Sequence, residues 1–274
     1  MSSSELVNTR LSDWGRTMDE HLRRGEAEAV APLAQVVLRR LPRHLPTYAR
    51  LLEAFWQLRR WDEGEEWGRR LLQADPYHGN AWRAVAQAAE QRGDRAVAQP
   101  IWRRAFEVDP YQPDIRAGLT RTTLGHDEPL TMTEPCLGTL YLRGYRWRHA
   151  IAIYRTLVRA DRRRLDFQVN LMAALWRQPN PGAAYQIARH LTRENPLLLL
   201  PWYVQAAVGD DDDRALAYNP LATMDPDGEY LHTWLRLDLA PAGERALELR
   251  LPAQNAMLTV SSAEAQFLAF EPVV

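Results

Sequence analysis

Arg143 and Arg177 stand 34 residues apart, and Trp176 precedes the second of them. A guanidinium presents a planar fork of donors that suits a carboxylate, and a tryptophan beside it offers an apolar anchor. If 34 residues is a structural period, the two cations fall on equivalent places and could grip one acidic group together. Other candidates for chemistry read more simply. The seven histidines (His21, His44, His78, His126, His149, His190 and His232) are scattered, several near turns. The acidic run Asp210–Asp213 lacks the alternation and glycine of a calcium loop, and it suits the start of a helix at Arg214-Ala215-Leu216. Cys136 lies beside Leu137 on an apolar face and reads as a buried, inert thiol. There is no glycine-rich phosphate loop, HExxH, GxSxG or paired-cysteine spacing, so no catalytic residues, no cofactor and no metal are expected.

Composition narrows the field. The chain has 274 residues, 46% hydrophobic and 25% charged, with a net charge of −1. That balance argues against nucleic acid and anionic membranes as general partners. All 34 basic residues are arginine, which we read as the coding bias of a GC-rich genome. A single cysteine excludes an internal disulfide framework. No apolar run approaches the ~20 residues of a membrane span. The start of the sequence lacks the pattern of a secretion signal, and a soluble cytoplasmic protein is the expectation.

The elements that would position the two arginines emerge from the stretch 79–110. Trp82, Val85 and Ala89, then Val97, Ala98, Ile101, Trp102, Ala105 and Phe106, recur at three- and four-residue steps on either side of Gly93-Asp94. Each half is an amphipathic helix, and Asp109-Pro110 stops the second. Stepping back 34 residues from Pro110 finds Pro76 and then Pro42. Three units follow, at 11–44, 45–78 and 79–112, with Trp14, Tyr48 and Trp82 in equivalent places. After an irregular joint at 113–130 the frame resumes at 131–164 and 165–198, with a partial unit to 223. Trp14, Trp82, Trp102 and Trp202 fall at core positions of the frame. Beyond 224 the period changes. Leu247, Leu249 and Leu251 alternate, and Met257–Val260 and Phe267–Phe270 read as short strands. The run Tyr230–Leu239 fits either period. Residues 1–10 are expected to be a flexible lead-in, and 224–274 a small β-rich appendage capping the last helices.

The recurring residues resemble those of the tetratricopeptide repeat. The unit 79–112 supplies Trp82, Val85, Ala86, Ala98, Trp102, Ala105 and Pro110; the unit 131–164 supplies Leu137, Gly138, Tyr141, Ala150, Tyr154 and Leu157. The likeness covers roughly 11–208. It implies a mainly α fold, a right-handed α-solenoid of helical hairpins with a short β-rich C-terminal segment. It also implies that certain first-helix positions line a concave groove. Carried onto this chain, these are Trp56, Gln57, Arg83, Gln87 and Glu90 in the first run, and Arg143, Trp176, Arg177 and Tyr203 in the second. The chaperone-binding members hold a terminal carboxylate with Lys and Asn, which this chain lacks at those positions, so that activity is not carried over. The function implied is a non-catalytic scaffold or adaptor that binds a peptide or protein segment bearing an acidic or C-terminal carboxylate group. The alternatives are a regulatory or substrate-recognition subunit of a separately encoded enzyme and, less favoured by the charge, an RNA-binding helical repeat.

Overall fold

A computed structural model of the chain describes residues 6–123, 130–179, 181–235 and 256–268. It is mainly α, a succession of helices each packed on its neighbours, plus one two-stranded sheet. Strand β1 (Leu6–Arg10) leads into α1 (Leu11–Arg24) and α2 (Val30–Arg40). Then come α3 (Leu45–Gln57), α4 (Trp61–Ala74), α5 (Gly79–Gln91), α6 (Arg95–Val108) and α7 (Pro113–Thr122). A second run comprises α8 (Glu134–Arg143), α9 (Trp147–Ala160), α10 (Leu165–Trp176), α11 (Gly182–Glu194), α12 (Leu199–Val208) and α13 (Asp211–Met224). Helix α14 (Glu229–Thr233), strand β2 (Met257–Ser261) and α15 (Ser262–Ala265) complete the described elements.

The period is visible in the backbone. Leaving a second helix, the N–H of Leu41, Asp75, Asp109, Asp161, Asn195 or Asp225 bonds back to the helix, and its carbonyl accepts from the residue three further on. These turns lie 34, 34, 52, 34 and 30 residues apart. Asp75 and Asp161 tighten theirs by accepting the N–H two residues on, the local bond that suits Asp to turns. One bulky side chain then ties the turn to the next helix. Tyr48 Oη donates to the Pro42 carbonyl, and the indole N–H groups of Trp82 and Trp202 donate to Pro76 and Pro196, both at 2.9 Å. Trp82 and Trp202 are only partly buried, whereas Trp14 and Trp102 are fully enclosed. Inside the hairpins a left-handed residue recurs at Gly25, Arg59, Gly93 and Tyr145.

The joint begins with a helix, as the apolar spacing from Asp114 to Leu124 leads one to expect. Residues 113–122 form α7, which packs on α5 and α6. Gly118 lies so close to Trp102 that a Cβ there would come within 2.4 Å of the indole. Helix α8 also packs on α6, so the slip in the frame carries one extra helix, and residues 124–129 lie outside those described.

The two ends of the sequence differ from expectation. Residues 6–10 form a strand, paired antiparallel with β2 from Leu6↔Ser261 to Arg10↔Met257. Residues 256–268 of the tail therefore sit on the first hairpin, not the last helices. Leu258 and Val260 alternate inward onto Leu11, Trp14 and Val30, covering apolar surface that the first hairpin would otherwise expose. Arg39 and Arg40 hold Glu264 at 2.7 Å. After β2 the backbone turns through α15, started by a reciprocal Ser261–Glu264 cap, into a 3-10 turn at Gln266–Leu268, so 266–268 is not a strand. Residues 247–251 and 269–270 lie outside those described.

The segment after α13 closes the array on itself. Residues 229–233 are helical, so the ambiguous run 230–239 begins as a helix, and 236–239 lie outside those described. Tyr230 and Leu231 are fully buried in a cluster that holds Leu45, Tyr48 and Leu52 of the first run together with Leu200 and Val204 of the second. Arg50 of α3, only 3% exposed, pairs with Glu229 at 3.0 Å and with Asp19 at 2.7 Å. A buried cation requires such partners.

Candidate functional site

The positions carried over from the repeat pattern divide into residues used inside the protein and residues left facing a space. In the first run Arg83 is buried, its guanidinium 3.7 Å from the centre of the Trp56 ring and 2.9 Å from Asp114. Glu90 accepts from Arg121 at 2.8 Å and from the Trp102 indole at 2.9 Å. Gln87 is buried, and Gln57 reaches toward the Leu22 carbonyl at 3.4 Å. Trp56, Arg83 and Glu90 thus join α3, α5, α6 and α7, and Gln57 reaches back to α1. Of the second run, Tyr203 is fully enclosed and its hydroxyl donates to Asp225 Oδ2 at 2.8 Å. Burial raises its pKa well above the ordinary phenol value. Trp176 is buried beneath Arg177, whose guanidinium carbon lies 5.4 Å from the ring centre.

Arg143 and Arg177 come together on the wall of one open cavity of about 430 Å³. Arg143 ends α8 and Arg177 follows α10, so the 34-residue interval places both at the same end of successive first helices. Arg143 pairs with Asp109 at 3.1 Å and lies 5.8 Å from the Tyr77 ring centre. Arg177 lies 5.8 Å from the ring centre of Trp147. The apolar part of the wall includes Leu142, Val169, Leu200, Trp147 and Trp234. A cavity of this size, walled in similar measure by polar and apolar surface, is large enough for a small ligand or an anchoring side chain.

Turn residues that the sequence did not single out furnish the rest of the wall. Asp75 Oδ1 accepts the Tyr77 N–H and Oδ2 accepts the Tyr230 hydroxyl. Burial pushes its carboxyl up to about 6. Burial also pushes the Tyr77 hydroxyl up to about 12. His78 caps α5, with Nδ1 accepting the Ala81 N–H at 3.1 Å. Burial, aided by Arg83, lowers its pKa to about 4, so the ring is neutral near pH 7. The signal available in the sequence was the turn frame itself. Asp75, His78, Asp109 and Tyr145 all belong to turns, and turns of successive units gather at one place.

The remaining candidates serve the fold. Asp210 caps α13 by accepting the Asp213 N–H at 3.0 Å, and Asp213 accepts from Gln205 and Tyr185. Cys136 is fully buried, and burial raises its pKa. Among the described residues no group of three or more His, Cys, Asp or Glu is placed to hold a metal ion, and no helix is long and apolar enough to cross a membrane. Compared with protein families and with curated proteins, the chain matches no family model and no curated protein.

Proposed function

We propose that the chain is a non-catalytic interaction module, a right-handed superhelix of tetratricopeptide type that binds a peptide or protein segment of a cytoplasmic partner. The partner presents an acidic group at the cavity where Arg143 and Arg177 meet. One observation carries this reading. The two arginines picked out by the repeat frame share an open cavity, while the first-run positions carried over with them are engaged with neighbouring helices. Guanidinium groups flanked by aromatic faces favour planar anions, and the flanking apolar wall supplies area for an anchor.

Affinity capture from native lysate tests the reading. Wild-type chain is expected to retain a partner that Arg143→Ala/Arg177→Ala loses, with the helical content of the variant unchanged. If the double variant retains every partner, the cavity is not the recognition surface.

A further inference from the structure

Two residues that line the cavity, Tyr77 and His78, each carry a buried polar side-chain atom with no hydrogen-bond partner. His78 is 7% exposed, and its Nδ1 accepts the Ala81 N–H. The neutral ring therefore carries its proton on Nε2. That N–H is buried and has no hydrogen-bond partner, and His78 is one of the residues that line the cavity. An enclosed donor left unpaired costs about 1–3 kcal/mol, which an acceptor entering the cavity would recover. The two carboxylates on the wall are already engaged. Asp75 receives the Tyr77 N–H and the Tyr230 O–H, and Asp109 holds Arg143. The lining brings together the His78 N–H, the Tyr77 hydroxyl and two guanidinium groups with indole and aliphatic surface.

The shape limits the occupant as well. Tyr230 and Leu231 are fully buried between the first run and the second, so the groove toward α3 is filled by the chain itself. An extended peptide cannot run through from that direction. A space of about 430 Å³ accepts a compact group entering from the open side.

We infer that this cavity binds a compact carboxylate carried on an aromatic or branched apolar body. The His78 Nε2–H, Arg143 and Arg177 bind the carboxylate, and Trp147, Trp234 and Leu200 enclose the body. The inference rests on the cavity being the recognition site, and it names what enters it. The carboxylate could belong to a free organic acid or to the end of a polypeptide, and the chemistry of capture is the same.

Calorimetric titration of the full chain tests this with three probes: phenylacetate, phenylacetamide, and a short peptide ending in phenylalanine with a free carboxylate. Phenylacetate is expected to bind saturably, and phenylacetamide at least about tenfold more weakly, the ratio that one buried charged hydrogen bond supports. His78→Asn retains an acceptor for the Ala81 N–H and withdraws the Nε2–H, and it should weaken phenylacetate about tenfold. His44 is the natural control. It precedes α3 as His78 precedes α5, is 2% exposed, and does not line the cavity, so His44→Asn should leave binding unchanged. Should His78→Asn not fold, Arg143→Gln on the half-exposed rim takes its place with the same expected loss. Similar affinity for phenylacetate and the peptide assigns the site to free acids; much tighter peptide binding assigns it to a polypeptide end. Equal binding of phenylacetamide, or no binding of either acid, overturns the inference. If neither acid binds while Arg143→Ala/Arg177→Ala still loses a captured partner, the interaction module stands and only the carboxylate occupant is wrong.

Discussion

Tyr230 Oη donates to Asp75 Oδ2 at 3.0 Å, joining residues 155 positions apart. The bond fastens α14 to the turn before α5, and both residues are buried. The same short segment carries Glu229 to Arg50 and places Trp234 with its ring centre 5.5 Å from that guanidinium. Closure of the array, and with it one wall of the cavity, depends on a handful of polar contacts around residues 229–234.

Tyr230→Phe removes the hydroxyl and leaves Asp75 Oδ2 without that donor. The expected loss is about 1–2 kcal/mol of stability. Hydrogen exchange should localise the change to 225–235 and the turn at 75–78, with α1–α2 unaffected. A uniform loss of protection across the chain would show that closure is not a separable element.

Two enclosed histidines make the protein sensitive to acid. Burial lowers His44 to about 3 and His78 to about 4, below the ordinary value of 6.5. A basic group depressed by folding gives stability that is present above its unfolded pKa and is lost as pH falls toward the folded value. The window opens near pH 6.5 and runs down to about 4 for His78 and about 3 for His44. Asp75 and Asp225, raised by burial to about 6 and about 7, work the other way, adding stability as pH falls from those values toward 3.8. Comparison with His44→Asn/His78→Asn isolates the histidines. Between pH 7.5 and 5 the wild type should lose more stability than the variant, by up to about 2 kcal/mol per histidine. Urea midpoints at the two pH values supply the measurement, and equal losses would contradict it.

Gly118→Ala tests whether α7 is an integral helix. The added methyl would meet Trp102, itself fully buried, at 2.4 Å. Overpacking against an indole that cannot withdraw should destabilise by about 3 kcal/mol, despite the better helix propensity of alanine. An unchanged melting temperature would mean that α7 does not pack where it is placed.

Tyr145 occupies a left-handed conformation (φ 59°) where Gly25 and Gly93 serve in other hairpins, and it stands 66% exposed on the cavity rim. Arg59 shares the conformation (φ 54°) but does not line the cavity. Replacing either by glycine should relieve about 1 kcal/mol of backbone strain. Only Tyr145→Gly should also weaken capture of the partner. Thermal melts and capture yields of the two variants, measured side by side, decide the matter.

The first hairpin depends on the far end of the sequence. Leu258, 4% exposed, packs with Leu11, Trp14 and Val30. Leu258→Ala should cost about 2–4 kcal/mol and release hydrogen-exchange protection in α1 and α2, not in α12 and α13. Loss confined to α12 and α13 would return the tail to the position its sequence suggested.

The hairpins were legible because the period is carried by turns and large side chains acting locally. Pro42, Pro76 and Pro196 each follow a helix end and each receives a bond from the bulky residue of the next helix. The equivalence of Arg143 and Arg177 follows from the same ruler. What the sequence concealed arises from contacts between distant segments. Strand β2 finds β1 because both complete the first hairpin, and nothing local in Met257–Ser261 distinguishes that edge from another. Arg50 is the one charged residue between Leu45 and Leu52, which marks it as unusual, yet its partners Asp19 and Glu229 come from different elements. The cavity draws on the turn residues Asp75, His78 and Asp109 together with Trp234, and only closure of the array brings that tryptophan to them.

Photo-crosslinking from the cavity rim asks whether a partner is held there by the two arginines. A benzoylphenylalanine in place of Tyr145 stands on the rim, and one in place of Tyr218, 54% exposed on α13, stands away from it. Partner adducts are expected from position 145, with their loss in the Arg143→Ala/Arg177→Ala background, and none from position 218. Equal adducts from both positions, or adducts at 145 that survive removal of both arginines, would contradict that expectation.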